Sequence, residues 1–350
     1  MPEKVYRRRY GVTYLIILIA AIVMYFMPDD CSGAQWHRAQ WHRAQWHRAQ
    51  GAVWNTTYNI TYRADRDLAD SISAVFRQVE MSLSPFNPAS RISLINRGES
   101  MQTDSLIARV FGISQRVYSL SGGNFDPTVS PLVNLWGFGY SRRPADGKAP
   151  EPTQAEIDSA LRLVGIADCR IVNGLMEKKS PGTTFNFSAV TKGYGCDLVG
   201  AMLRRNGCED YMVEIGGEMA LRGHNPRGTD WQVQIDAPVE GAATHEAMRV
   251  VALTDCGVAT SGNYRNYRVD SLGHHLGHTI SPRDGRPYAT DILSATVVAP
   301  TCAEADALAT ACMASPEADA VAMLKGMGDV RALLVVADGD TLRQIRVRGL

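Results

Sequence analysis

The 350-residue chain carries 36 basic and 36 acidic side chains, so its formal net charge is zero, and 45% of it is hydrophobic. Neutral balance, with no basic block past the N-terminus, excludes nucleic acid as the main partner. Seven cysteines, at positions 31, 169, 196, 208, 256, 302 and 312, lack CxxC spacing and so form neither a zinc knuckle nor a dense disulfide framework.

Residues 11–27, GVTYLIILIAAIVMYFM, are uncharged and apolar and follow Arg7, Arg8 and Arg9. That length meets the lower limit of a membrane-spanning helix and exceeds most signal-peptide cores. The preceding arginines keep that end cytoplasmic, which places the rest of the chain outside the cytoplasm. Cys31 follows Pro-Asp-Asp, a poor lipoprotein cleavage site, so an uncleaved anchor is the expectation. WHRAQ then occurs three times over 36–50, too short a period and too few copies for a solenoid. The organisation expected is an anchor over 1–30, a spacer over 31–50 and a folded domain over 51–350.

Residues 53–62 alternate as a half-buried strand, and Leu68, Ile72, Val75, Phe76 and Val79 mark an amphipathic helix. A loop follows over 82–96, then a helix over 104–120 that stops at Gly122-Gly123. The segment 122–139, GGNFDPTVSPLVNLWGFG, sets aromatic residues among turn formers. Such aromatics either plug a core or stack on a planar ligand. Thr153 and Glu156 have capping-box spacing; 183–187 reads as a strand, and 189–206 as a helix with Lys192 near its start. Strands are expected at 211–215, 231–235 and 249–253, a Gly/Ser turn at 257–264, and a hairpin with its loop over 274–287. His274 and His278 have the spacing of a metal pair, but Gly273 and Gly277 oppose the helix such a pair needs. A last helix after Pro316 and a hairpin over 331–347 close the chain. The mixture lacks a βαβ rhythm and favours an α+β fold with mainly antiparallel sheets.

Residues 294–314 combine these signals. A short β run breaks at Pro300 and restarts as a helix behind Thr301 and Glu304. The helix is nearly all small residues, with Asp306 and Thr310 one turn apart on one face. That pair is either a solvated face or an oxygen-donor set for a hard cation such as Mg²⁺.

Six ordered blocks resemble the FAD:protein FMN transferase (ApbE-type) family. They are GGNFDPTVSPLVNLWGFG, FNFSAVTKGYGCDLV, EIGGEMALRG, ATSGNYRNY, HTISPRDGRP and SATVVAPTCAEADALATA. The resemblance covers essentially all of 51–350. It implies a duplicated T-fold-like α+β domain and Mg²⁺-dependent transfer of the FMN half of FAD onto a Thr or Ser of an acceptor protein, with AMP released. It further implies metal contacts from Asp306, Thr310 and the backbone carbonyl of Ala189. Trp54, Phe86, Leu135, Trp136, Gly137, Phe138, Asn186 and Lys192 match positions lining the FAD site, and His278 matches a histidine of the transfer step. Membrane redox subunits are the implied acceptors. Asn186 and Ser281 stand where the family usually has aspartate, and Asn55 where it has glycine. An Mg²⁺-dependent FAD pyrophosphatase and a non-catalytic FAD-binding protein are the competing readings.

Overall fold

The structure is a computed structural model in which residues 44–139, 151–238, 247–262, 267–269, 275–277, 279–288, 290–339 and 341–350 are described. Strands β1 (Gln45–Val53) and β2 (Thr56–Ala64) pair antiparallel around two residues, Trp54 and Asn55, with φ of 47° and 61°. A two-residue hairpin turn that follows the strand twist demands positive φ at both positions. Asn tolerates this readily and a bulky Trp does not. The strand expected over 53–62 is therefore folded back at its second residue. The spacer expected over 31–50 needs correction too, because the third WHRAQ copy lies inside β1. Alternation sends its side chains to opposite faces of the sheet. Trp46 meets Trp231 edge-on at 6.0 Å, and His47 stacks on Tyr62 at 5.3 Å. The anchor expected at 11–27 and the first repeat copy lie outside the described residues. Among the described residues no helix is long and apolar enough to cross a membrane.

Helices α1 (Ala69–Leu83), α2 (Arg91–Arg97) and α3 (Ser105–Leu120) follow. α1 and α3 bury one apolar stripe each, with Ile72, Phe76 and Val79 on the first and Ile107, Val110 and Phe111 on the second. α2 occupies the expected loop. Ser90 caps it by accepting from the Ser93 N–H, and left-handed Gly98 ends it, two local signals strong enough for a short helix. α4 (Ser130–Leu135) and α5 (Gln154–Leu161) pack on each other, and Thr153 and Glu156 form the capping box in both directions. β3 (Arg170–Val172) and β4 (Leu175–Glu177) make a small hairpin.

The strand expected over 183–187 is extended chain without a ladder. Its polar groups are satisfied elsewhere: the Asn96 side chain bonds both the N–H and the carbonyl of Phe185, and Asn186 N–H donates to the Pro127 carbonyl. α6 (Ser188–Arg205) leads to β5 (Tyr211–Ile215) and β6 (Glu218–Arg222), joined at Gly216-Gly217. β7 (Trp231–Asp236) pairs with β8 (Ala247–Leu253), and β9 (Cys256–Gly262) comes next. β10 (Tyr267–Val269) pairs with β11 (His275–Gly277). β12 (Ile292–Ala299), α7 (Cys302–Met313), α8 (Glu317–Lys325), β13 (Arg331–Asp338) and β14 (Thr341–Val347) complete the chain.

Eight strands form one sheet in the order β1-β2-β5-β6-β9-β12-β13-β14, with every pairing antiparallel. One face packs against α6 and α7, and α1 and α3 pack on those two helices, all within a continuous apolar core. The other face carries a smaller core with the β7–β8 hairpin, built on Trp231, Val233, Ile235, Val258 and Leu333. The fold is thus α+β with antiparallel sheets, as the sequence implied.

Candidate active site

α7 starts where Pro300 ends β12. Thr301 Oγ1 accepts from the Glu304 N–H at 3.3 Å. The reciprocal arm of the expected box is diverted, since Glu304 pairs with Arg116 at 2.6 Å. Asp197 of α6 supplies the remaining cap: its two carboxylate oxygens accept from the Cys302 and Ala303 N–H groups, both at 2.9 Å. Burial pushes the pKa of Asp197 up to about 6, against the pull of those two bonds.

Small side chains let α6, α7 and β9 approach almost to backbone contact. A Cβ on Gly193 would lie 2.3 Å from the Cys302 carbonyl oxygen, and one on Gly257 would lie 2.1 Å from the Cys302 nitrogen. As far as Gly262, this corrects the expected turn at 257–264, of which 263 and 264 lie outside the described residues. Its glycine and alanine are the residues of a strand crossed closely by a helix, rather than of a reversal.

That approach brings the N-terminal turns of α6 against the middle of α7. Asp306 is 2% exposed, and its Oδ2 accepts from the Gly193 N–H at 3.0 Å. A regular helix aims that N–H at the carbonyl of residue 189; here it reaches the Asp306 carboxylate. Thr310 Oγ1 lies 3.3 Å from Ser261 Oγ on β9. The Lys192 ammonium pairs with Glu218 Oε1, while Glu218 Oε2 is buried with no hydrogen-bond partner among the described residues. Burial raises the pKa of Asp306, opposed chiefly by the charge of Lys192. Burial works against the ammonium as well, but the Asp306 and Glu218 carboxylates outweigh it and hold Lys192 above its usual range.

These groups line a cavity of about 960 Å³, within the range of cofactor pockets. Its walls come from the 124–133 segment, the start of α6, the β5–β6 turn, β7, the end of β9 and α7. Asn186, Ala189, Lys192, Asp306 and Thr310 all line it, so five of the residues singled out from sequence converge. Asn186 also shapes the entry to α6, its Oδ1 accepting from the Ser188 N–H at 3.0 Å and the Ser188 hydroxyl at 2.6 Å.

Trp54, Phe86, Leu135, Trp136, Gly137 and Phe138 are not among the cavity-lining residues. Trp136 is buried with Leu132, Ile157 and Ile280, and its Nε1 donates to the Gly285 carbonyl at 2.7 Å. Leu135 and Phe138 pack on the same cluster, and Gly137, at φ 77°, follows the end of α4. Trp136 thus fills a core in this structure, whereas Phe125 belongs to the main core and also lines the cavity. Trp54 meets Phe76 edge-on at 5.5 Å, fills the space over Gly195, and keeps its buried Nε1 without a hydrogen-bond partner among the described residues. Phe86 is 59% exposed. His278 lies outside the described residues; its neighbour Thr279 lines the cavity. Ser281 is buried and organises a turn, its Oγ accepting from the Arg283 and Asp284 N–H groups at 3.3 and 3.4 Å.

The sequence reading missed Glu218, Asp197, Ser261 and Asp126. Asp126, inside 122–139, braces that segment by accepting from the Thr128 N–H, the Thr128 hydroxyl and the Ile166 N–H. For Glu218 the available signal was an acid directly after a Gly-Gly turn between two strands.

The donor set fits a hard divalent cation. Asp306, Thr310 and the Ala189 backbone offer oxygen only, and among the described residues no group of three or more His, Cys, Asp or Glu side chains could hold a metal. Mg²⁺ suits a site with one or two carboxylates that leaves positions for water and phosphate. Beside these donors, Glu218 pairs with Lys192 through one carboxylate oxygen and keeps the other buried without a hydrogen-bond partner among the described residues.

The ApbE family pattern matches residues 54–334. A FAD:protein FMN transferase of Vibrio cholerae is 32% identical over 303 residues, covering 84% of this chain and 88% of that protein. A protein of the same name from Escherichia coli K12 is 29% identical, covering 84% of each. The structure of the flavin transferase ApbE from Vibrio cholerae superposes with a TM-score of 0.77 at 30% identity, covering 87% of this chain and 98% of that one. The apo flavinyl transferase ApbE of Pseudomonas stutzeri superposes with a TM-score of 0.78 at 27% identity, covering 87% and 95%. With the pattern spanning most of the folded region and the same fold recovered over nearly the whole of both solved relatives, this chain belongs to the ApbE family.

Proposed function

We propose that the protein is an Mg²⁺-dependent FAD:protein FMN transferase, moving the FMN moiety of FAD onto a Thr or Ser hydroxyl of an acceptor protein and releasing AMP. The observation that carries the reading is the convergence of Asp306 and Thr310 on α7 with Ala189 and Lys192 on α6 around one large cavity. A divalent cation there would neutralise the diphosphate and polarise the bond that breaks. The chain's own part is to hold the diphosphate still and match its charge. Asp306 and Thr310 would hold the cation together with the Ala189 carbonyl. Lys192 supplies a positive charge on the same wall, and the start of α6 adds backbone N–H groups. The acceptor hydroxyl must lose a proton, and His278 is the base proposed for it.

The acceptors proposed are subunits of membrane electron-transfer complexes, with the domain outside the cytoplasm on an N-terminal anchor. The apolar run at 11–27 behind three arginines supports that placement.

The test is incubation with FAD, Mg²⁺ and a Thr-containing acceptor domain, followed by mass spectrometry of the acceptor. The expected result is an added FMN and free AMP. Asp306→Asn lowers the rate by at least about a hundredfold, the scale of losing one preorganised electrostatic contact. Free FMN with an unmodified acceptor would mean a pyrophosphatase, and intact bound FAD a binding protein. Either result overturns the transferase reading.

A further inference from the structure

Two buried carboxylates contend for one ammonium at the head of the cavity. Lys192 lies next to Gly193, whose N–H donates to Asp306 at 3.0 Å, so Asp306 sits within the immediate surroundings of the lysine. The charge of Asp306 acts on Lys192 together with that of Glu218. The ion pair nevertheless forms with Glu218, which is 4% exposed and held at the start of β6. Its Oε2 stays without a partner among the described residues, close to Gly216, where an added Cβ would lie 3.4 Å from that oxygen. One oxygen of Glu218 is thus wholly given to Lys192, and the other makes no contact that would explain its burial.

A lysine ammonium is a mobile point charge on a flexible stem. With Glu218 neutral, the carboxylate left to Lys192 is that of Asp306. An ammonium seated on Asp306 occupies the lone pairs a divalent cation needs and repels the cation besides. We propose that Glu218 is a positioning residue that draws the Lys192 ammonium away from Asp306 and so keeps the Asp306 carboxylate open to a divalent cation. This rests on the cation reading of the site given above. Glu218 does its work through Lys192 and is not a ligand of the cation.

The test is a double-mutant cycle read by Mn²⁺ binding, followed by the electron paramagnetic resonance of free Mn²⁺ and without FAD or acceptor. Glu218→Gln keeps the shape of the side chain and is expected to weaken Mn²⁺ binding about tenfold or more, the scale of losing a supporting partner around a metal site. In a Lys192→Met background there is no ammonium to withhold, and the same Glu218→Gln change is expected to shift affinity by less than about threefold, near the limit of additivity for independent sites. Should Glu218→Gln fold poorly by its thermal melt, Glu218→Met, alone and with Lys192→Met, gives the same comparison. An equal loss in both backgrounds means that Glu218 acts on the cation directly, and overturns the proposal. So does no loss in either. Wild type that binds Mn²⁺, loses it in Asp306→Asn and ignores Glu218→Gln sinks the positioning role while the cation reading stands. Wild type that binds no Mn²⁺ sinks both.

Discussion

Two pairs of helices build the same core by opposite means. α1 and α3 bury long apolar side chains on one stripe each and turn polar residues outward. α6 and α7 meet where Gly193 lies against Cys302 and Asp306, and α7 is buried on nearly all sides. The first pair is held by the area of hydrocarbon it removes from water, whereas the second is held by closeness. Only backbones that nearly touch can aim a helix N–H, a carboxylate and a hydroxyl from different elements at one small volume. Scaffold and site therefore ask different things of a sequence, and substitutions in the two pairs should fail differently.

The largest loss of stability is expected in the scaffold pair. Ile107 is fully buried on α3, and Ile107→Ala removes its contacts and leaves a cavity, costing about 2–5 kcal/mol. Urea unfolding should show this as a lower midpoint with an unchanged slope. Mn²⁺ affinity of the folded protein should stay within about threefold of wild type, since Ile107 does not line the cavity. A large drop in affinity would mean that the two pairs are one mechanical unit.

Gly193→Ala should show the reverse pattern. Its added methyl meets a backbone carbonyl 2.3 Å away, which no side-chain rotation relieves. Overpacking of this kind costs about 1–3 kcal/mol, less than the scaffold cavity. α6 and α7 must separate to admit the methyl, and the bond from Gly193 to Asp306 goes with that movement. Mn²⁺ affinity and transfer should both fall by more than tenfold, a fall set by misplacement at the scale of an ångström. Retained affinity in a destabilised protein would show that the close approach serves packing alone.

The same contrast explains what could be read from the chain. Amphipathic α3 and the closing hairpin over 331–347 follow the sequence pattern closely, because burial of one face leaves a periodic trace. The helix at 302–313 was legible from Pro300 and Thr301, and its polar pair from the spacing of Asp306 and Thr310. β9 was not, because its Gly257, Ala259 and Ser261 are turn-like in isolation and belong to a strand only once α7 lies over them. The 183–187 segment misled in the other direction: its apolar alternation is real, yet Asn96 and Pro127 take its backbone bonds. Glu218 escaped notice because its one local signal, an acid after a Gly-Gly turn, does not say what it meets. Its role depends on Lys192, 26 positions earlier, being brought to it by the packing of α6 on β6. Resemblance assembled the cation residues as a set. It also carried Trp136 to a ligand role, while the packing of Trp136 on Leu132 and Ile157 explains its buried setting without one.

The smallest effect is expected at the junction between the two mechanisms, where Asp197 of α6 caps α7. Asp197→Asn leaves one acceptor for two backbone donors and should cost about 0.5–2 kcal/mol, the range for helix caps. Its sign with pH is the sharper measurement. The folded pKa is raised to about 6 from the ordinary 3.8, so between those values the folded protein takes up a proton that the unfolded chain does not. Stability from this group therefore rises as pH falls from about 6 to about 4, and the Asn variant lacks that rise. Unfolding both proteins in urea at pH 7 and pH 5 should show the gap between them widening at the lower pH. A gap that narrows would mean that the two N–H bonds and nearby Arg109 outweigh burial, and that the closeness of α6 to α7 stabilises the ionised cap instead of straining it.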